Sequence, residues 1–359
     1  MKSLKYILPM LIAMTMSMSF AAAGNSPAAD TAVAEKTAAG GDIDVQKIIF
    51  AHIGNSYKWE IGIFGTKKVS IYLPVIVHCS TGWHVFSSKR LEDGPYEGLS
   101  IGRGEKYDGK IVETGPNGEE SRPFDISITK DVLSLFMSSA LLVVIVLLCA
   151  GWYKRHDASK EAPTGIAALM EPVIMMIHTD VVRDALGSDT ERYSPFLCTA
   201  FFWILLNNLL GIVPFFPGGA NLTGNITITF FLAMCTFIAV NFSGTKTYFK
   251  DIFWPDVPWW LKFPIPLMPV IELFGVFTKP FALMVRLFAN MMAGHVLILS
   301  LVCLIFLVAK YGAFMVGSMS FISVAFGLFM DCLDLLISFI QAYVFTVLST
   351  IFISLARQK

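Results

Sequence analysis

Residues 280–299 read PFALMVRLFANMMAGHVLIL, an apolar run of the kind a lipid bilayer accepts, with Arg286 near its middle. A guanidinium at bilayer depth costs roughly 2.5–3.5 kcal/mol on insertion scales and about 10 or more on isolated-helix estimates, and such residues mark ion or substrate paths. The run belongs to a longer apolar stretch, roughly Ile265 to Ala309, which is followed by a second from Ala313 to Ala356. At about 1.5 Å per residue, forty-odd residues reach about twice the ~30 Å hydrocarbon thickness. Gly294 is the only helix breaker after Pro280 in the first stretch. A steeply tilted helical hairpin turning near Lys310-Tyr311-Gly312 accounts for this pattern better than four short spans. Three shorter runs, Val132–Trp152, Phe196–Phe216 and Leu222–Phe242, suit single crossings.

Composition agrees. Of 359 residues, 55% are hydrophobic and 15% charged, and mean hydropathy is +0.64; an ordinary soluble domain carries about 25% charged residues. The expected fold is an all-α polytopic membrane protein of about five membrane helices, with a small exported N-terminal region holding some β-structure. Formal net charge is zero, and no basic excess or binding motif points to nucleic acid.

The opening MKSLKYILPMLIAMTMSMSFAAAG places Lys2 and Lys5 before a short Met-rich apolar stretch and Ala21-Ala22-Ala23. It reads as a secretory signal peptide over 1–23. Residues 24–41, rich in Ala, Thr and Gly, read as a disordered linker. Over 42–125, alternating segments such as KVSIYLPVIVH stand between Gly-Pro, Asp-Gly and Asn-Gly turn signals, the pattern of a strand-containing exported region. Residues 126–359 form the membrane domain. Cys149, Cys198, Cys235, Cys303 and Cys332 lie in apolar runs, which leaves Cys79 no exported partner for an intramolecular disulfide. The spacing of His78, Cys79 and His84 is a weak metal signal and reads as chance.

Lysine and arginine mark alternate connections: WYKRHDASK, KTYFKDIFWPDVPWWLK and the final RQK are basic, whereas VPFFPGGA and KYGA are poor in charge. This bias puts the C-terminus in the cytoplasm of a cell whose inner membrane the chain crosses, with the N-terminal region exported. Trp254, Trp259 and Trp260 suit an interfacial belt. Between Pro163 and Tyr193, GIAALMEPVIMMIHTDVVRDAL reads as an amphipathic helix on the cytoplasmic surface, with His178 and Asp180 as its polar face.

Counting back from Arg286 by sevens meets Lys279 and Glu272, close to one helix face, and Asn290 continues that stripe. His295, nine residues on, points about half a turn away. In GLFMDCLDLLISFIQAYVFTVL the final run carries Asp331, Asp334, Ser338 and Gln341, the last three on one face. A His295–Asp334 contact across the hairpin would satisfy both, and Arg286 and Gln341 could face one another. Lys279 reads equally as a lysine snorkelling to the interface, Asp331 equally as bonded to backbone or water, and Ala282, Ala289 and Ala293 as ordinary helix packing.

The stretches KPFALMVRLFANMMAGH and FIQAYVFTVLSTIF, with LLNNLLGIVPF ending at Phe215 and TGNITIT from Thr223 to Thr229, closely resemble subunit a of F-type ATP synthases from about Phe124 to the end. The resemblance implies a stator that carries ions past a rotating c-ring, held by peripheral stalk b subunits within membrane lipid. Arg286 would be its essential arginine, with Asn290, Gln341 and Glu272 at family positions. Many bacterial members carry Glu at the position of His295 and His at that of Asp334; the exchange seen here conserves an acid–base pair. The family implies two half-channels for protons or sodium, no cofactor, and no catalysis by this chain itself, in keeping with the lack of a phosphate-binding loop. A proton-coupled secondary transporter is the main alternative, but matched helix breaks and internal repeats are not found. An intramembrane protease would need a nucleophile motif such as G-x-S-x-G, which is lacking, and a receptor reading rests only on the exported region.

Overall fold

Two periodicities divide the chain, one of two residues and one of 3.6. In the computed structural model the described residues are 54–64, 67–92, 94–102, 107, 109–114, 120–156, 161–213, 218–253, 267–308 and 312–357. The expected signal peptide and linker, residues 42–53, Trp254, Trp259, Trp260, Lys310 and Tyr311 lie outside them.

In the N-terminal part, β1 (Lys58–Phe64) and β2 (Lys67–Tyr72) form an antiparallel pair. Strand β3 (Pro74–Cys79) lies between β4 (Gly82–Ser87) and β8 (Phe124–Asp125), and β6 (Ile111–Thr114) between β5 (Leu99–Ile101) and β7 (Glu120–Ser121). A one-turn helix, α1 (Lys89–Glu92), follows β4. Alternation turns Val75, Val77 and Cys79 inward, onto Tyr57, Phe86, Leu91, Leu99 and Ile111. The same alternation splits the weak metal triplet: His78 meets the ring of Trp83 edge-on at 4.9 Å, Cys79 is buried, and His84 bonds Thr81 at 2.7 Å and Glu97.

The membrane part comprises α2 (Lys130–Arg155), α3 (Ile166–Met175), a π-helical stretch Met176–Arg183, α4 (Asp184–Leu186), a 3-10 turn Gly187–Asp189, α5 (Thr190–Ile212), α6 (Ile226–Ser243), α7 (Lys246–Phe253), α8 (Leu267–Val308) and α9 (Ala313–Arg357). Among the described residues, five helical runs are long and apolar enough to cross a membrane: α2, the run ending in α5, α6, α8 and α9. The forty-residue apolar stretches are single helices of 42 and 45 residues, joined through Gly312, whose φ of +104° favours glycine. Helix α9 packs on α5 and α8, α8 also packs on α6, and α2 docks against α5. Leu197, Phe201, Trp203, Ile204, Leu232, Leu287, Ala342 and Phe345 fill the core between them.

Orphan N–H groups at helix starts decide how the N-terminal part attaches. Thr129, the N-cap of α2, makes no capping bond of its own. The bond comes from Asn55, whose Oδ1 accepts from Asp131 N at 3.1 Å while its Nδ2 donates to Thr129 Oγ1 at 3.0 Å. Asn225, the N-cap of α6, donates to Asp131 Oδ2 at 2.9 Å. The starts of α2 and α6 therefore share one end of the bundle with the strand-rich part, called here the N-domain end. The C-terminus of α9 lies at the far end, where Thr245 N donates to Ala356 O at 3.0 Å.

Candidate functional site

Along α8, Leu283, Leu287 and Met291 are buried, whereas Ala282, Val285, Arg286, Ala289, Asn290 and Ala293 are exposed. Spacings of three and four make the exposed set one continuous face. On α9, Leu336, Ile340, Ile351 and Leu355 are exposed as well. The three alanines are thus uncovered by any helix among the described residues, which departs from their expected role in ordinary packing. Arg286 stands among them at mid-helix with no hydrogen-bond or ion-pair partner among the described residues. Its positive charge is permanent in proteins.

One turn away, Asn290 Nδ2 donates to Gln341 Oε1 at 2.8 Å, and Gln341 is buried. Sequence spacing put Gln341 opposite Arg286; the hairpin register instead gives it Asn290. Ser338, fully buried on the same face of α9, has an Oγ without a hydrogen-bond partner among the described residues. Next toward the N-domain end comes Asp334, whose carboxylate presses on Gly294: a β-carbon there would lie 2.5 Å from Asp334 Oδ2. His295 is the following residue of α8, about 13 Å along the axis from Arg286. Its Nδ1 lies 3.1 Å from Met291 O, and a β-carbon at Gly211 of α5 would be 3.9 Å from its Cε1. Asp334 thus packs on the residue beside His295, and His295 turns toward α5. Asp331 is exposed.

Toward the far end the stripe leaves the open face. Lys279 Nζ sits 5.7 Å from the centre of the Phe352 ring on α9. Glu272 lies near Tyr248 of α7, where burial first and the Glu272 charge second push the phenol up.

The two motifs of α5 and α6 meet near the start of α6, toward the N-domain end. Thr223 Oγ1 donates to Asn208 Oδ1 at 2.7 Å, and Asn221 Oδ1 accepts from Gly224 N at 2.9 Å. Trp203 Nε1, Asn207 Oδ1, Asn208 Nδ2 and Asn221 Nδ2 are buried without hydrogen-bond partners among the described residues. Buried polar atoms are nearly always satisfied, and ordered water is what such atoms bond where the protein supplies nothing. Asp131, buried under the N-terminal part, escaped sequence reasoning. An acid in the first turn of a span reads as a helix-start residue, and only the 76-residue separation from Asn55 gives it another meaning.

Comparison with known proteins follows the same division. The family model for the ATP synthase A chain matches residues 135–354, and one described as a domain of unknown function (DUF8433) matches residues 48–135. The chain is 41% identical over 262 residues to "ATP synthase subunit a 2" of Prosthecochloris aestuarii, covering 68% of this chain and 77% of that one. It is 36% identical over 313 residues to "ATP synthase subunit a" of Chlorobium phaeobacteroides, covering 85% and 80%. A Myxococcus xanthus protein of that name is 36% identical over 240 residues, covering 65% and 73%.

Proposed function

This chain belongs to the ATP synthase A chain family, and on that premise we propose that it is the stator across which ions reach and leave a ring of rotor carboxylates. It is a multi-pass, non-catalytic subunit of the membrane sector of the F-type complex. The observation that carries the finer reading is the unpaired Arg286 on an open face of small residues. A rotor carboxylate arriving opposite that cation is favoured in its ionised form. Protons, or sodium ions, therefore leave the rotor there, and the fixed charge blocks a direct crossing between inlet and outlet.

The inlet follows the lane of unpartnered polar atoms from the N-domain end past Asn208, His295, Asp334 and Ser338 to the Asn290–Gln341 bond. His295 and Asp334 relay the proton, and the far end, with Glu272 and Lys279, faces the cytoplasm of a cell whose inner membrane holds the complex. Rotation couples transport to ATP chemistry on partner subunits, each charge contributing about 2.3 kcal/mol per 100 mV. The open face of α8 meets the c-ring, and the peripheral stalk b subunits hold the chain still.

Cysteine placed at Ala289 tests the first contact. It is expected to form a disulfide with a cysteine in the rotor's outer helix under mild oxidation, and the bond should stop ATP-driven rotation until reduced. Labelling of that cysteine by lipid-soluble reagents alone, with no crosslink at any rotor position, would remove the stator reading. For the relay, His295→Ala is expected to slow ATP-driven acidification of vesicles by about two orders of magnitude, the range of one acid–base group, while the complex purifies intact. Full activity in that variant would make the pair structural only.

A further inference from the structure

The first two N–H groups of α2 are satisfied from outside the helix. Lys130 N donates to Ser56 O at 2.9 Å, and Asp131 N donates to Asn55 Oδ1 at 3.1 Å. Orphan donors at a helix start are ordinarily met by the local cap or by water; here the strand-rich part supplies the acceptors, Asn55 from 76 residues earlier in the chain. Asn55, Ser56, Thr129, Lys130 and Asp131 are all buried at this joint. The ion path described above uses none of them.

Asp131 carries the joint on to α6. Its Oδ2 accepts from Asn225 Nδ2 at 2.9 Å, and the other end of that amide, Oδ1, accepts from Thr227 N at 3.0 Å as the cap of α6. A carboxylate between the starts of two helices is favoured by both dipoles, and a bond to an ionised group is about twice as strong as a neutral one. Just before Asn225, Thr223 holds Asn208 of α5, and Asn221 folds over Gly224 so closely that a β-carbon there would lie 2.2 Å from its Nδ2. The same turn reaches the relay: a β-carbon at Gly211 would be 3.9 Å from Ala220 O and 3.9 Å from His295 Cε1. A continuous series of contacts therefore runs from Asn55 through Asp131, Asn225 and the turn at 220–225 to the surroundings of His295.

We propose, resting on the stator reading above, that the strand-rich N-terminal part sets the shape of the inlet mouth, with Asp131 as the positioning residue that ties the start of α6 to Asn55 and Ser56. Asn208 and Asn221 each have an Nδ2 buried without a hydrogen-bond partner among the described residues. These amides stay aimed at an entering ion or its water only while the turn at 220–225 is fixed. Asp131 itself neither gives nor takes a proton in this scheme. Without it the start of α6 is released from α2, and a mouth whose amides turn aside takes up fewer ions at a given concentration.

The test uses the complex in inverted vesicles freed of the catalytic sector, and follows passive proton flow out of the lumen, the N-domain side, as lumenal pH is varied. Flow is expressed per complex present. Asp131→Ala and Asn55→Ala are each expected to lower it about tenfold at neutral lumenal pH and to move half-saturation toward acid, with flow at saturating acid close to wild type. Asp131→Asn, which keeps an acceptor for Asn225, should restore most of the flow; an Asn variant as slow as alanine would make the carboxylate an ion-handling group and overturn the positioning role. A joint that only holds the complex together would lower flow equally at every pH and leave half-saturation in place. That result would overturn the proposal, as would wild-type flow and half-saturation in both alanine variants. Since both residues act through one contact, the double alanine variant should fall no further than the slower single one, and effects that multiply would overturn the coupling. Tyr72→Phe, which removes an exposed bond to Glu92 in the same part of the chain, is the control and should match wild type. Should Asp131→Ala fail to assemble, Asn55→Ala decides. Arg286→Ala, assayed alongside by ATP-driven acidification with the catalytic sector in place, separates the two levels. Coupled pumping in that variant removes the stator reading itself, whereas its loss beside unaffected Asn55 and Asp131 variants removes only the role of the N-terminal part.

Discussion

Arg286→Ala is expected to assemble with the ring and stalk and to show no ATP-driven acidification above background. At an effective dielectric near 20, two unit charges 4 Å apart attract by about 4 kcal/mol. At 1.36 kcal/mol per pKa unit, losing that attraction raises a rotor carboxyl by roughly three units and leaves it protonated where it must discharge. Nothing else on the open face compensates, since the exposed neighbours of Arg286 are Ala282, Val285, Ala289, Asn290 and Ala293. Arg286→Lys is expected to fail as well. An ammonium loses its proton readily when desolvated and lacks the planar two-toothed fork of the guanidinium. On the proposed stator reading the same charge separates inlet from outlet, so the alanine variant should also leak: passive proton conductance of vesicles freed of the catalytic sector should rise above that of wild type. Coupled acidification in either variant at rates near wild type would show that the fixed charge is not the discharging group.

Long apolar runs were the most legible part of the chain. A 45-residue apolar run without proline has one economical solution, and the expected Ala313–Ala356 span differs from α9 by a single residue. The polar stripe of α8 was legible for the same reason, because the 3.6-residue period fixes which residues share a face. Period alone says nothing of register between two helices. That register comes from how α8 and α9 pack side by side, and it gives Gln341 a bond to Asn290. Contacts made across long sequence separations were illegible for a related reason. Neither Asn55 nor Asp131 carries a local signal, yet their bond joins the strand-rich part to the first span. Likewise the π-helical stretch Met176–Arg183 keeps the pattern of an ordinary helix and has no signature in the order of residues.

Gly294 was read only as a helix breaker, yet α8 passes through it without a break, and its purpose lies in the neighbouring helix. A β-carbon at this position would stand 2.5 Å from Asp334 Oδ2 and 2.9 Å from its carboxyl carbon. Real contacts of that kind are about an ångström longer. Gly294→Ala must therefore push α9 away or swing the Asp334 carboxylate off its seat beside His295. Insertion of one methyl into a packed site costs about 1–3 kcal/mol, while alanine favours the helix itself by up to about 1 kcal/mol over glycine. The complex should accordingly still assemble. The relay is less forgiving, because a displacement near 1 Å can lower a rate about a hundredfold. We expect ATP-driven acidification to fall by one to two orders of magnitude. Gly151→Ala in α2 is the control, since a β-carbon there meets nothing within 4 Å; it should leave the rate unchanged. Equal activity in the two variants would mean that Asp334 moves aside without loss, and that the contact between the long helices at this depth has no part in ion transfer.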